Sequence, residues 1–307
     1  MRRRWLLGLL VVMALLAAAC GGDDDDSGSE GTGGDTTGDA AGGGVCAETD
    51  ASGDLLAEIC ETGTIRVSTD PAYPPQSSLN EETEEYEGFD IDVATEIANR
   101  LGVEVAWEAP AWDVITAGSW NGRWDMSVGS MTPTNERQTV LDFTAPYYFT
   151  PAVVMVHEDN TSVADLSTDL DGATIGVCSA CTYDFFLQKT LEIEGFEFDF
   201  IIDDAEITGY DTDTTALQDL ALGDGTRLDA AITSLTVAQG YAAENPVKIV
   251  GDPVFFEPLA VAFDKSSELD GASLVAAVNQ IVDEMHTDGT LTSFSEEWFD
   301  GVDLTTQ

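Results

Sequence analysis

From Thr64 onward the chain alternates short β-branched runs with stretches of helical periodicity, and it does so twice. Thr64–Ser68 follows Gly63 and predicts a strand. Residues 70–88, with Pro71, Pro74 and Pro75, predict a polar loop. Asp90 is placed to cap a helix on which Val93, Ala94, Ile97, Ala98 and Leu101 share one face, and Gly102 stops it. Residues 103–107 and 125–129 predict strands, and 112–118 a helix. An apolar strand over 151–156 leads away, and the alternation restarts. Strands follow at 174–177 and 229–233, with helices at 183–191, 212–222 and 235–243. After Gly251-Asp252-Pro253, residues 254–263 are again strand-like, and helices over 272–285 and 291–299 close the chain. Such alternation predicts an α/β protein with a largely parallel sheet. Two patterns joined by two extended apolar segments predict two lobes, with the tail returning to the first. Ligands of open α/β sheets bind at the carboxyl ends of strands. Two lobes would then share one cleft, closing by hinge motion.

The N-terminus adds an address. Arg2, Arg3 and Arg4 precede an apolar run over 5–16 that only Gly8 breaks, then Ala17-Ala18-Ala19. This is the layout of a secretory leader over 1–19. The run is shorter than the roughly 20 residues of a membrane span. Cys20 follows at once and resembles the lipidated cysteine of a bacterial lipobox, although Ala17 stands where Leu is usual. The alternative is an ordinary leader cut after Ala19. Residues 21–44 are Gly, Asp, Ser, Thr, Glu and Ala only. They hold too little apolar surface to offset their ordering entropy. Residues 20–45 therefore read as a lipidated Cys20 and a flexible acidic linker, holding a folded domain outside the cell membrane.

Charge narrows the partners. The 307 residues carry 58 acids against 11 basic residues, a formal charge of −47. That excludes nucleic acid and direct adhesion to anionic lipid, and leaves the lipid anchor as the membrane contact. Four cysteines remain besides Cys20. In an exported chain, local proximity pairs Cys46 with Cys60 and Cys178 with Cys181 as disulfides. The other reading of Cys178-x-x-Cys181 is a redox or zinc motif. Zinc needs two further ligands, and His157 and His286 lie far apart in the sequence. No metal and no cofactor is expected.

Several stretches resemble the polar-amino-acid solute-binding proteins of ABC importers (bacterial solute-binding protein family 3). They are Thr69-Asp-Pro-Ala-Tyr-Pro-Pro75, Gly88-Phe-Asp-Ile-Asp-Val93, Ser130-Met-Thr-Pro-Thr-Asn-Glu-Arg137, Leu141-Asp-Phe-Thr-Ala-Pro-Tyr-Tyr148 and Leu228-Asp-Ala-Ala231, then Asp288-Gly-Thr and Trp298-Phe. They occur in family order across about residues 62–300. The resemblance implies a two-lobed periplasmic binding protein type II fold with two crossover hinge strands. Lobe 1 would comprise 46–152 and 255–307, and lobe 2 would comprise 153–254. It also implies a monomer that captures an amino acid or related small carboxylate and hands it to an importer permease.

The same resemblance implies the site. Arg137 matches the residue that grips the ligand's α-carboxylate, a task suited to a bidentate guanidinium. Its alternative is an ion pair with Glu136 or Asp142. Ser130 and Thr132 match positions that hydrogen-bond the same ligand, and Met131 between them is counted with the site. Thr182 matches a second-lobe contact, beside Ala180-Cys181 where Gly-Thr is usual. Asp70 and Tyr73 match the loop lining the side-chain pocket. Trp112 matches an aromatic that packs on the ligand, core packing being its alternative. Trp107, Trp120 and Trp124 read as structural. Ser234 stands where the family places the Asp that pairs with the α-ammonium. A hydroxyl cannot neutralise a buried charge. Either Asp70, Asp211 or Asp213 substitutes, or the ligand lacks that ammonium. Two other classes compete: an enzyme on this fold, of dehydratase or cell-wall lyase type, and a ligand sensor for a separate membrane partner. Neither His falls in a site motif, so an enzyme is not expected.

Overall fold

A computed structural model describes residues 44–306. The leader, Cys20 and the tether through residue 43 lie outside the described residues.

The first half of the sequence opens with α1 (Val45–Glu48) and α2 (Leu55–Thr62). Asp54 accepts the Ala57 N–H at 2.9 Å and starts α2. Gly63, at φ 69°, stops it in the left-handed region. A disulfide joins Cys46 to Cys60. Strand β1 (Thr64–Ser68) follows as expected. The expected loop over 70–88 is instead a small antiparallel sheet of β2 (Ala72–Tyr73), β3 (Ser77–Asn80) and β4 (Glu85–Glu87). The prolines that suggested a loop all precede β3. Asn80 Oδ1 accepts from the Glu82 and Thr83 N–H groups and closes the β3–β4 turn.

Helix α3 (Phe89–Leu101) buries the predicted face, but Asp90 does not cap it. The cap is Gly88, and the carbonyls of Pro75 and Gln76 accept from the Phe89 and Asp90 N–H groups. Chain approaches chain there: a Cβ on Gly88, whose φ is 133°, would stand 2.4 Å from the Gln76 oxygen. Gly88→Ala is therefore expected to lower stability by roughly 2–4 kcal/mol, combining left-handed strain with overpacking. Urea unfolding checks this, and a loss below about 1 kcal/mol would show that the β3–α3 junction yields.

Next come β5 (Glu104–Glu108), α4 (Trp112–Thr116), β6 (Met126–Met131), a single 3-10 turn (Arg137–Thr139), β7 (Leu141–Phe143) and the long β8 (Tyr148–His157). The second pattern runs α5 (Leu166–Asp169), β9 (Thr174–Cys178), α6 (Thr182–Leu187), β10 (Glu206–Tyr210), α7 (Asp213–Leu220), β11 (Ala230–Ser234) and α8 (Leu235–Glu244). Helix α6 stops short of the predicted residue 191 because Lys189 turns to φ 61° and the Thr190 and Leu191 N–H groups fold back to the Phe185 carbonyl. Strand β10 was not anticipated. The chain ends in β12 (Val247–Asp264), α9 (Ala272–Asp288) and α10 (Thr290–Trp298).

The large sheet has the order β10-β9-β11-β8-β12-β6-β1-β5. Its two flanks are parallel, β6-β1-β5 and β10-β9-β11. Between them β12 pairs antiparallel with nearly the whole of β8, with a register shift where Gly251-Asp252-Pro253 intervenes, and its end pairs with β6 and β7. Alternate residues of β8 enter opposite cores: Ala152, Val154 and Val156 pack with Ile175, Val177 and Phe186, whereas Val153 and Met155 pack with Leu217, Leu220 and Val237. Both faces are thus covered, as a parallel-flanked sheet requires. On the other flank Ile65, Val93, Ile97, Val261, Leu274, Val278, Ile281 and Leu291 form one core, so α3, α9 and α10 share it.

Candidate functional site

The carboxyl ends of β1, β6, β9 and β10 face a cavity of about 490 Å³, open mouth included. Seven of the nine expected ligand contacts line it: Asp70, Tyr73, Trp112, Ser130, Thr132, Arg137 and Thr182. Two do not. Met131 is fully buried against Ile115, Trp120, Leu141 and Ala262. Met131 turns into that core, whereas Ser130, at a left-handed φ of 52°, and Thr132, just past the end of β6, reach the cavity. Ser234 is also fully buried, and its hydroxyl caps α8 by accepting the Val237 N–H at 3.4 Å.

Arg137 opens the 3-10 turn and is 4% exposed. Nη1 donates to the Thr132 carbonyl at 3.0 Å and Nη2 to the Ala180 carbonyl at 3.1 Å. Nε is buried without a partner. The guanidinium lies 5.0 Å from the Trp112 ring centre, in cation–π range. Neither expected alternative partner is realised: Asp142 pairs with Lys265, and Glu136 forms no ion pair among the described residues. Burial disfavours the charged guanidinium and pulls its pKa down to about 10, with Glu257 opposing.

Ala180 sits between Cys178 and Cys181, which are joined as a disulfide. Its φ of 56° is left-handed. That carbonyl also accepts from Trp112 Nε1 at 3.4 Å, so the loop touches residues from the opposite flank. Asn135 N–H donates to the Glu192 carbonyl, and Thr214 Oγ1 to the Ala72 carbonyl, further across the cleft.

Two buried acids, one on the cavity wall and one behind it, escaped sequence reasoning as part of the site. Glu257 of β12 is 2% exposed and lines the cavity. Its Oε2 accepts from Thr132 Oγ1 and Thr182 Oγ1, both at 2.7 Å, and Oε1 accepts from Tyr183 at 3.0 Å. It ties both flanks to the crossover strand. An acid inside the apolar run over 254–263 was the available signal. Asp90 is fully buried, accepting from Tyr147 at 2.7 Å and from Ser130 Oγ at 2.8 Å. Ser130 N–H donates to Tyr147, and the Ser130 φ is 52°. The network thus holds a strained residue at the cavity wall. Burial raises the Asp90 pKa to about 7.

The cavity wall carries Asp70, Asp211, Asp213 and Glu257 against Arg137 as its cation. Burial pushes Asp213 up to about 7, and Asp70 upward too. His157 and His286 are elsewhere, the latter meeting the Pro146 carbonyl.

Known proteins resemble the chain in sequence and in fold. The chain is 28% identical over 264 residues to the L-cystine-binding protein of Escherichia coli, covering 85% of this chain and 92% of that one. It is 26% identical over 246 residues to the lysine/arginine/ornithine-binding periplasmic protein of the same species, covering 77% and 88%. Among solved structures, an ancestral arginine-binding protein bound to arginine superposes with a TM-score of 0.66 at 31% identity, covering 77% and 98%. An ancestral amino acid-binding protein, a precursor of cyclohexadienyl dehydratase, gives 0.68 at 31%, covering 80% and 99%. The fold is the two-lobed type II periplasmic binding fold. No helix among the described residues is long and apolar enough to cross a membrane. The relatives are named for binding, and this chain is a solute-binding protein. The family model matches residues 65–301, and the chain belongs to the bacterial extracellular solute-binding proteins, family 3.

Proposed function

We propose that the protein is an extracytoplasmic lipoprotein that captures an amino acid and delivers it to an ABC importer. One observation carries the ligand half: a buried Arg137 guanidinium on the cavity wall, stacked on Trp112, with no carboxylate ion pair among the described residues. A carboxylate entering the cavity supplies the missing anion. Thr132 and Thr182 flank that position from the two sides of the cleft. The names of the relatives support the class, since they include binders of cystine, arginine and lysine.

A thermal-shift screen of L-arginine, L-lysine, L-histidine, L-glutamine and L-cystine tests this. A ligand at 100 times its Kd adds about 2.7 kcal/mol of stability. At least one member is expected to raise the unfolding midpoint by several degrees. If all five leave it unmoved, the amino-acid reading fails. The anchor rests on the leader and on Cys20 with its linker. Cys20→Ser is expected to move the protein from the membrane fraction to the soluble one. Undiminished membrane retention would refute lipidation at that cysteine.

A further inference from the structure

We infer that Asp213 is the counter-charge for the ligand's α-ammonium, in the corner of the cleft where Ser234 leaves none. The inference rests on the amino-acid reading above and specifies which residue completes that site.

Ser234 does not serve. It lies off the cavity wall, and its hydroxyl is engaged with Val237 N–H, Thr236 Oγ1 at 3.3 Å and Gln76 Nε2 at 3.4 Å. The remaining acids are separated by their partners. Glu257 has both oxygens engaged by hydroxyls. Asp70 accepts the Ala72 N–H at 2.8 Å and shapes its own loop. Asp211 is exposed. Asp213 differs from all three. It is 7% exposed, lines the cavity, and its Oδ1 is buried with no hydrogen-bond partner. No cation pairs with it among the described residues.

Its position fits the task. Asp213 is the first residue of α7, held by the Thr212–Thr215 capping box. Thr233, the neighbour of Ser234 on β11, stands beside its carboxylate, short of hydrogen-bond geometry. Asp213 thus reaches the end of the strand that carries Ser234. Glu257 lies within Coulombic reach of both Asp213 and Arg137, which puts the anion and the cation in one pocket. An ammonium offers three donors and a full charge. It satisfies the orphan oxygen and offsets the cost of a buried carboxylate.

The full chain is titrated calorimetrically at about pH 8 with the tightest binder of the five amino acids named above and with its des-amino analogue. The wild type is expected to prefer the amino acid by at least about 100-fold, the scale of a buried charge pair. Asp213→Asn is expected to lose that preference, with the des-amino acid affected less than about threefold. Asp213→Ser, also a good residue at a helix start, is expected to behave alike, and circular dichroism verifies that both variants fold. The inference is overturned if Asp213→Asn keeps the preference, or if Asp70→Asn or Glu257→Gln removes it instead. It is also overturned if the wild type does not discriminate, although the carboxylate reading then survives. Wild-type failure to bind any of the five marks a different error, in the proposed function itself.

Discussion

Arg137→Ala is expected to weaken amino-acid binding by at least two orders of magnitude, about 3–5 kcal/mol, while the unfolding midpoint of the unliganded protein barely moves. The binding loss follows from geometry. Arg137 is the cation of the cavity wall, and its hydrogen bonds to the Thr132 and Ala180 carbonyls hold the guanidinium in place beside Trp112. Little reorganisation entropy is then spent when a carboxylate arrives. The small stability effect follows from opposed terms. Truncation forfeits two hydrogen bonds, to the Thr132 and Ala180 carbonyls. It also removes a cation whose burial is unfavourable, as the depressed pKa shows. These terms are of similar size and opposite sign. Arg137→Lys separates charge from shape: a point charge lacks the planar fork, so it is expected to recover only part of the affinity. Isothermal calorimetry with the tightest amino-acid binder decides the matter. Unchanged affinity in Arg137→Ala would place the carboxylate elsewhere.

The residues legible in the sequence were those whose chemistry is unusual for their surroundings or set in an ordered motif. Arg137 stands out in a chain so poor in cations, and Ser130 and Thr132 of the same motif reach the cavity. Met131, in the same motif, is buried in the core instead, which motif membership alone could not reveal. Asp90 was misread for a physical reason. An acid at a helix start is ordinarily a cap. Here carbonyls from Pro75 and Gln76 satisfy the helix, and the freed carboxylate is drawn into a tyrosine network by residues 40 to 58 positions away. Glu257 was missed because its partners, Thr132, Thr182 and Tyr183, come together only when β12 crosses between the flanks. Local periodicity places the elements, whereas these long-range meetings depend on topology. The short strands β2 to β4 escaped for the opposite reason, being too brief for any period to register.

The buried acids make a second large effect: the unliganded protein is expected to become more stable as pH falls from about 8 to about 5. Asp90 and Asp213 both have folded pKa values of about 7, against 3.8 for the free side chain. Their protonated forms are the ones the folded state favours. Between those values the native protein holds protons that the unfolded chain has released, so stability must fall as pH rises through the window. Each group contributes roughly 4 kcal/mol across it as an upper bound. The causes are clear in the structure. Burial dominates for both, and Asp70 adds repulsion to both, with Glu257 repelling Asp213 as well. Hydroxyls of Tyr147 and Ser130 oppose the shift at Asp90, as Thr233 does at Asp213. Relief of surface repulsion on so acidic a chain acts in the same direction. The comparison that isolates the two groups is with Asp90→Asn and Asp213→Asn, whose neutral amides cannot titrate. Urea unfolding across the window is expected to show a flatter profile in each variant, and the wild type's disadvantage is expected to be greatest at the alkaline end. Parallel profiles for wild type and variants would assign the whole effect to the surface. Saturating the wild type with its amino acid at about pH 8 is then expected to recover stability that the Asp213→Asn variant cannot, because only the carboxylate is neutralised by an ammonium.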